Sequence, residues 1–154
     1  MQKVPEGLRV QLDANEADLL RGLTNEMRLV LEADIPDADP VQQRLFPRAH
    51  NDDEDEAAYQ ELVGSELKDV KLEALRTVER RLGSDGPLDD TLPEGEIHEW
   101  LRLINDIRLA IGTRLQVDEA KMDKQYDPDD PEAPALAVLH WLAWVQTSIL
   151  EEMT

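Results

Sequence analysis

Apolar residues recur along this chain with two different periods. Near the N-terminus Leu8, Val10 and Leu12 alternate with Arg9 and Gln11, the period of a strand with one covered face, so Gly7 to Leu12 reads as a short extended segment. No second run of that period follows. The segment is therefore expected either to lie on the helices as an arm or to offer its edge to another copy of the chain. Beyond it the period is helical. Leu19, Leu20, Leu23, Met27, Val30 and Leu31 recur at spacings of three and four, with Asp13 or Asn15 placed to cap the helix and Pro36 barring its extension.

Pro36 to Asp53 reads as a connector with one helical turn at Pro40 to Leu45, Asp39 capping it and Pro40 in the first helical position. Leu45 and Phe46, the chain's one phenylalanine, are expected to anchor it to the core. The acidic run Asn51 to Glu56 then leads a long helix marked by Tyr59, Leu62, Val63, Leu67, Val70, Ala74, Val78 and Leu82, with Gly64 its weakest point and Gly83 to Gly86 its end. Thr91 and Glu94 have capping-box spacing, which starts the next helix near Leu92. Ile97, Leu101, Ile104, Arg108 and Ile111 form one line on it, flanked by Trp100, Leu103, Ile107 and Ala110, a stripe wide enough to sit at the centre of a bundle. A turn around Val117 to Met122 and a polar loop from Asp127 lead to a last helix from about Pro134 to Met153, carrying Leu136, Leu139, Trp141, Leu142, Trp144, Val145, Ile149 and Leu150. The pattern predicts an all-α, single-domain bundle of about four main helices, residues 1–154, with residues 1–12 as a short extended N-terminal segment.

Composition narrows the function more than the fold. A chain of 154 residues folding as one domain buries roughly 70% of its unfolded surface, enough for one sizeable core. With 35 acidic against 16 basic residues the formal charge is −19, which repels nucleic acid and anionic membrane and favours a basic partner. There is no cysteine, so disulfides, thiol nucleophiles and thiolate metal sites are excluded. The N-terminus lacks the apolar run of a signal peptide, and a cytoplasmic protein is expected.

Motifs with chemistry are scarce. His98 and Glu99 begin a zinc-protease pattern, but Arg102 stands where the second histidine is needed. His50 and His140 have no ligand at metal-binding spacing, and the acidic runs Asn51 to Glu56 and Asp127 to Glu132 lack the alternate ligands and turn glycine of a calcium loop. No metal, cofactor or catalytic residue is assigned; a carboxylate-based metal protein or enzyme is the alternative. Arg76, Arg80 and Arg81 lie within a turn of Glu73 and Glu79, which predicts a salt-bridged surface. Trp100 and Trp141 are read as core, and Trp144 as the aromatic most open to a partner. In the Trp100 to Leu115 helix, Asn105, Asp106, Arg108 and Thr113 are more polar than packing alone requires. Arg102 and Asp106 have ion-pair spacing, Asn105 and Arg108 share a side, Arg114 lies in the last turn, and Gly112 leaves room for a neighbouring backbone. The set forms either a buried network fixing helix register or an interaction site.

Trp100 to Leu115, WLRLINDIRLAIGTRL, together with DPVQQRLFPRAHNDD from Asp39 to Asp53, resembles a family of small acidic actinobacterial proteins, largely uncharacterised, whose genes lie beside that of the Clp adaptor ClpS. The resemblance covers most of the chain. Part of that family is described as oxidative-stress transcriptional regulators that use a cysteine pair and contact a sigma factor. In this cysteine-free chain thiol sensing transfers to no residue, and the matching residues bring no assigned role with them. The resemblance implies a non-enzymatic regulator of transcription acting by protein contact, with a sigma factor or other transcription machinery as partner. It implies, alternatively, an adaptor or accessory protein linked to Clp proteolysis. Homodimerisation through the unpaired strand or through Trp144 is also expected.

Overall fold

The computed structural model describes residues 1–32, 40–46, 65–115 and 131–154. Their order is β1 (Gln2–Val4), β2 (Gly7–Leu12), α1 (Ala14–Glu32), α2 (Pro40–Leu45), α3 (Ser65–Leu82), β3 (Leu88–Leu92), α4 (Glu94–Leu115) and α5 (Ala133–Met153). Four long helices and one short one agree with the helical periods. The fold is nevertheless not purely all-α, because three strands form an antiparallel sheet in the order β1-β2-β3.

That sheet corrects two expectations. The alternating segment Gly7–Leu12 is its central strand, paired from Gln2↔Arg9 to Val4↔Gly7 on one side and from Leu8↔Leu92 to Leu12↔Leu88 on the other. It is neither a free arm nor an edge open to another copy. Thr91 lies inside β3 opposite Arg9 rather than at a helix cap, and α4 begins at Glu94, where the Pro93 carbonyl accepts the Glu96 and Ile97 N–H groups. The strand was hidden because Leu88 and Leu92 flank two acids and a threonine, with no run of alternating apolar residues. Leu8, Val10, Leu12, Leu88 and Leu92 present one buried face to the helices.

Asp13 caps α1 in a reciprocal box: its carboxylate accepts the Glu16 N–H at 2.8 Å, and Glu16 accepts the Asp13 N–H at 3.1 Å. Ala17, Leu20, Thr24, Met27 and Leu31 form the buried stripe of α1, whereas Leu19 faces out. On α3 the buried face is turned toward Leu72 and Leu75, with Ala74, Val78 and Leu82 as expected and Val70 exposed. The part of this helix expected before Ser65, Gly64 included, lies outside the described residues, as do Asp39, the turn at Val117 to Met122 and residues 127–130. Gly83, at φ +64°, ends α3, and its N–H bonds the Glu79 carbonyl. Arg21 of α1 then holds that C-terminus, donating to the Leu82 carbonyl at 2.6 Å and the Gly86 carbonyl at 2.7 Å, a cation placed at the negative end of the helix dipole.

Helix α4 is the axle of the molecule, with α1, α2, α3 and α5 all packed on it. Ile97, Trp100, Leu103, Ile104, Ile107 and Ala110 supply its buried face. Leu45 is buried and Phe46 packs against the core, so the short α2 is anchored as expected. Among the described residues no neighbouring backbone approaches Gly112: a Cβ there would meet none of their atoms within 4 Å. Gly112→Ala is therefore expected to raise stability by about 0.5–1 kcal/mol, because it removes only the unfolded-state entropy of a helical glycine. A urea titration checks it, and a loss of stability would show that a backbone contact is needed there.

Candidate interaction surface

The polar residues of α4 separate into different attachments instead of one network. Asp106 is buried and accepts from Lys71 Nζ of α3 at 2.8 Å, so its partner is not the exposed Arg102, which acts on it only through its charge. Burial pushes the Asp106 carboxyl above its ordinary value, against the opposing pull of Lys71 and Arg102. The Lys71 ammonium also lies 6.0 Å from the centre of the Phe46 ring, which ties α2 to the same point. Asn105, one residue away, faces solvent. Arg108, half-buried, donates to Gln146 of α5, while its Nε is buried with no acceptor among the described residues. Thr113 donates back to the Leu109 carbonyl at 2.7 Å, within its own helix. Lys71 and Gln146 were not found by sequence spacing, since each reaches α4 from another helix.

The expected arginine cluster on α3 also opens out. Arg76 is exposed, Arg80 donates to Thr77, and Arg81 leaves its helix to make a forked pair with Glu96 at 2.8 and 2.9 Å. Glu79 is taken by Arg28 of α1. Across the sheet Arg9 forks onto Asp89 at 2.9 and 2.8 Å. The hydrogen bonds from Arg9 and Arg81 hold Asp89 and Glu96 below their ordinary values of 3.8 and 4.5. A carboxylate with a lowered folded value stabilises above its unfolded value and stops doing so as pH falls through the folded one. Arg81→Gln is accordingly expected to flatten the acid limb of the stability curve, read as urea midpoints from neutral pH to below 4.5. An unchanged limb would mean that Glu96 is not held by this pair.

Trp100 takes its expected place in the core, whereas Trp141, also read as core, lies at its margin. Trp100 is fully buried, Trp141 is half-buried and donates to Glu16 at 3.3 Å, and Trp144 is 55% exposed. His98 and His140 are exposed; His50 and the run Asn51 to Glu56 lie outside the described residues. Among the described residues no three His, Asp or Glu side chains are grouped to hold a metal ion. Helix α5 is, by length and composition alone, long and apolar enough to cross a membrane; its Leu139, Leu142, Val145 and Ile149 are seated in the core.

The feature with the form of a binding site lies between the C-terminal halves of α1 and α4. A groove of about 410 Å³ is walled by Leu23, Met27 and Val30 from one helix and by Ile107, Ala110 and Ile111 from the other. Glu26 and Arg114 stand at its rim, and Leu29 on its lip is 62% exposed. Arg114 is the one member of the predicted polar set that borders it. Leu29 stands in the sequence as a leucine off the α1 core stripe, and helical period alone does not mark it as part of a groove.

Fold and surface together define a small acidic protein, mainly helical, with a three-stranded N-terminal sheet and an apolar groove. The chain belongs to the family described as Domain of unknown function (DUF2017), whose family model matches residues 1–153. No curated protein and no solved structure matches it.

Proposed function

We propose that this protein is a non-enzymatic regulator of transcription that acts by protein contact, seating an amphipathic helix of a basic partner, a sigma factor or another part of the transcription machinery, in the α1–α4 groove. The observation that carries the reading is the groove itself. It is lined by aliphatic side chains over two turns of each helix, with one charge of each sign at the rim and an exposed leucine on the lip, the form that takes an apolar helix face. The charge of −19 steers a basic partner toward the protein and repels free DNA. The choice of transcription machinery comes from the family resemblance alone.

The test is a titration of purified sigma factor and RNA polymerase against the wild type and Leu29→Glu, whose exposed side chain can change without loss of the fold. Binding that falls at least about tenfold in the variant supports the proposal, since an anchor in such a groove contributes on that scale. Binding to ClpS or Clp subunits in place of sigma factor would move the protein to the accessory role in proteolysis. Tight DNA binding at physiological salt without other proteins would overturn the proposal. A thermal shift with divalent ions would speak for the carboxylate metal protein instead.

A further inference from the structure

Helix α5 carries a second surface that the groove does not use. Its outward residues Ala137, His140, Trp144, Thr147, Glu151 and Thr154 are all exposed and alternate spacings of three and four, the rhythm of a helix–helix seam. Leu136, Ala143 and Leu150 run beside them at intervals of seven, Leu150 with 48% of its surface exposed. The 18 residues Ala133 to Leu150 contain no Asp, Glu, Lys or Arg, in a chain that is 33% charged. A helix facing only water has no use for such a stripe.

Electrostatics choose the occupant. Each copy carries −19, so two copies repel wherever their acidic faces meet, and the α5 stripe, free of charged side chains up to Leu150 and with Glu151 as its single carboxylate, lets them approach. The stripe is also complementary to itself. Its two ionisable side chains, His140 and Glu151, sit three turns apart on either side of Trp144 and Thr147. Two helices laid antiparallel about a two-fold axis between Trp144 and Thr147 bring each His140 to Glu151 of the second copy. The same register sets each Trp144 against Thr147 and each Ala137 against Thr154 of the second copy. Glu152, the neighbouring carboxylate, is turned away and accepts the Lys3 N–H of β1 at 3.1 Å.

We propose that α5 is a homodimerisation helix, pairing antiparallel with α5 of a second copy through the seam Ala137, His140, Trp144, Thr147 and Glu151. The interface is isologous, closes on itself, and leaves the α1–α4 groove free on both copies. Sedimentation equilibrium of the full chain is expected to show a monomer–dimer equilibrium that tightens with salt, as the residual repulsion between acidic copies is screened. Trp144→Glu is expected to weaken it about thirtyfold or more, as loss of a central aromatic anchor does. His140→Glu sets like charges together at both ends and weakens it about tenfold. Adding Glu151→Lys to His140→Glu replaces the like charges with an opposite-charge pair and returns dimerisation to the wild-type level or above. All three positions are exposed, and far-UV circular dichroism confirms that each variant is folded. A chain that stays monomeric at every concentration and salt overturns the proposal, as does a dimer indifferent to Trp144→Glu. A double variant that stays as weak as His140→Glu overturns the register, and association seen only with lipid vesicles assigns the stripe to a lipid surface instead.

Discussion

Truncating Asp106 to alanine is expected to destabilise the protein by about 3–5 kcal/mol, the cost of leaving a buried charge without its partner. The Asp106 side chain is 4% exposed and that of Lys71 11%, and their atoms meet at 2.8 Å. Without the carboxylate the Lys71 ammonium stays between α3 and α4 with the Phe46 ring at 6.0 Å, which offsets only part of the loss. The pair is not itself a source of stability. Burial raises the proton affinity of Asp106 more than Lys71 and Arg102 lower it, so ionising this carboxyl in the folded protein is a net cost. Two consequences separate this account from one in which the ion pair holds the fold. Asp106→Asn keeps the volume and an acceptor for Lys71, and should cost no more than about 1 kcal/mol. Lys71→Met combined with Asp106→Leu should restore or exceed wild-type stability. The pH sign follows from the raised folded value. The contribution of Asp106 is fully favourable below its ordinary value of 3.8 and is lost as pH rises through the folded value. The stability of Asp106→Asn relative to wild type should therefore improve from acid toward neutral pH. Urea titrations of the four proteins at both ends of that range check all of this, and the opposite pH trend would show that the Lys71 attraction outweighs burial.

The helices were legible because each repeats its apolar spacing over many turns, as Leu20, Met27 and Leu31 do in α1 and Leu139, Leu142, Val145 and Ile149 do in α5. The sheet was not. β2 shows the alternating period, but its partner β3 is a single short strand whose acids Asp89 and Asp90 occupy the positions between its two buried leucines, and the two strands pair across some 80 residues. For the polar residues, the sequence showed where a partner was needed and misjudged which partner came. Arg102 has the helical spacing for Asp106, yet an exposed arginine on the same helix gains little from pairing, whereas Lys71 arrives on the packed face of α3. Arg108 had to be paired because its line is apolar, and Gln146 supplies that partner from a position 38 residues further along the chain. Such contacts depend on how helices dock, which local periodicity does not encode. The groove was half legible: Leu29 stands out from the α1 stripe, but its apolar walls need both helices in place.

Gly7→Ala is expected to be among the most damaging single methyl additions in the protein, at about 3 kcal/mol or more. Gly7 opens β2 directly after the two-residue turn at Pro5 and Glu6, with φ at +145°, a region that residues with a Cβ rarely enter. A Cβ there would stand 1.9 Å from the Leu92 carbonyl oxygen and 3.1 Å from Pro93 Cα, both backbone atoms that no rotamer change can move aside. Relief requires β2 and β3 to separate where Leu8 pairs with Leu92, and both leucines are fully buried on the α4 side of the sheet. The same substitution at Gly112 adds the same methyl group to a helix where none of the described residues stands within 4 Å of it, and there it is expected to stabilise. The two alanine variants, unfolded in urea side by side, should move in opposite directions from the wild type. If Gly7→Ala were as stable as the parent, β1 and β2 would have to meet β3 less closely than this, and the sheet would not be the fixed platform on which the first turn of α4 rests.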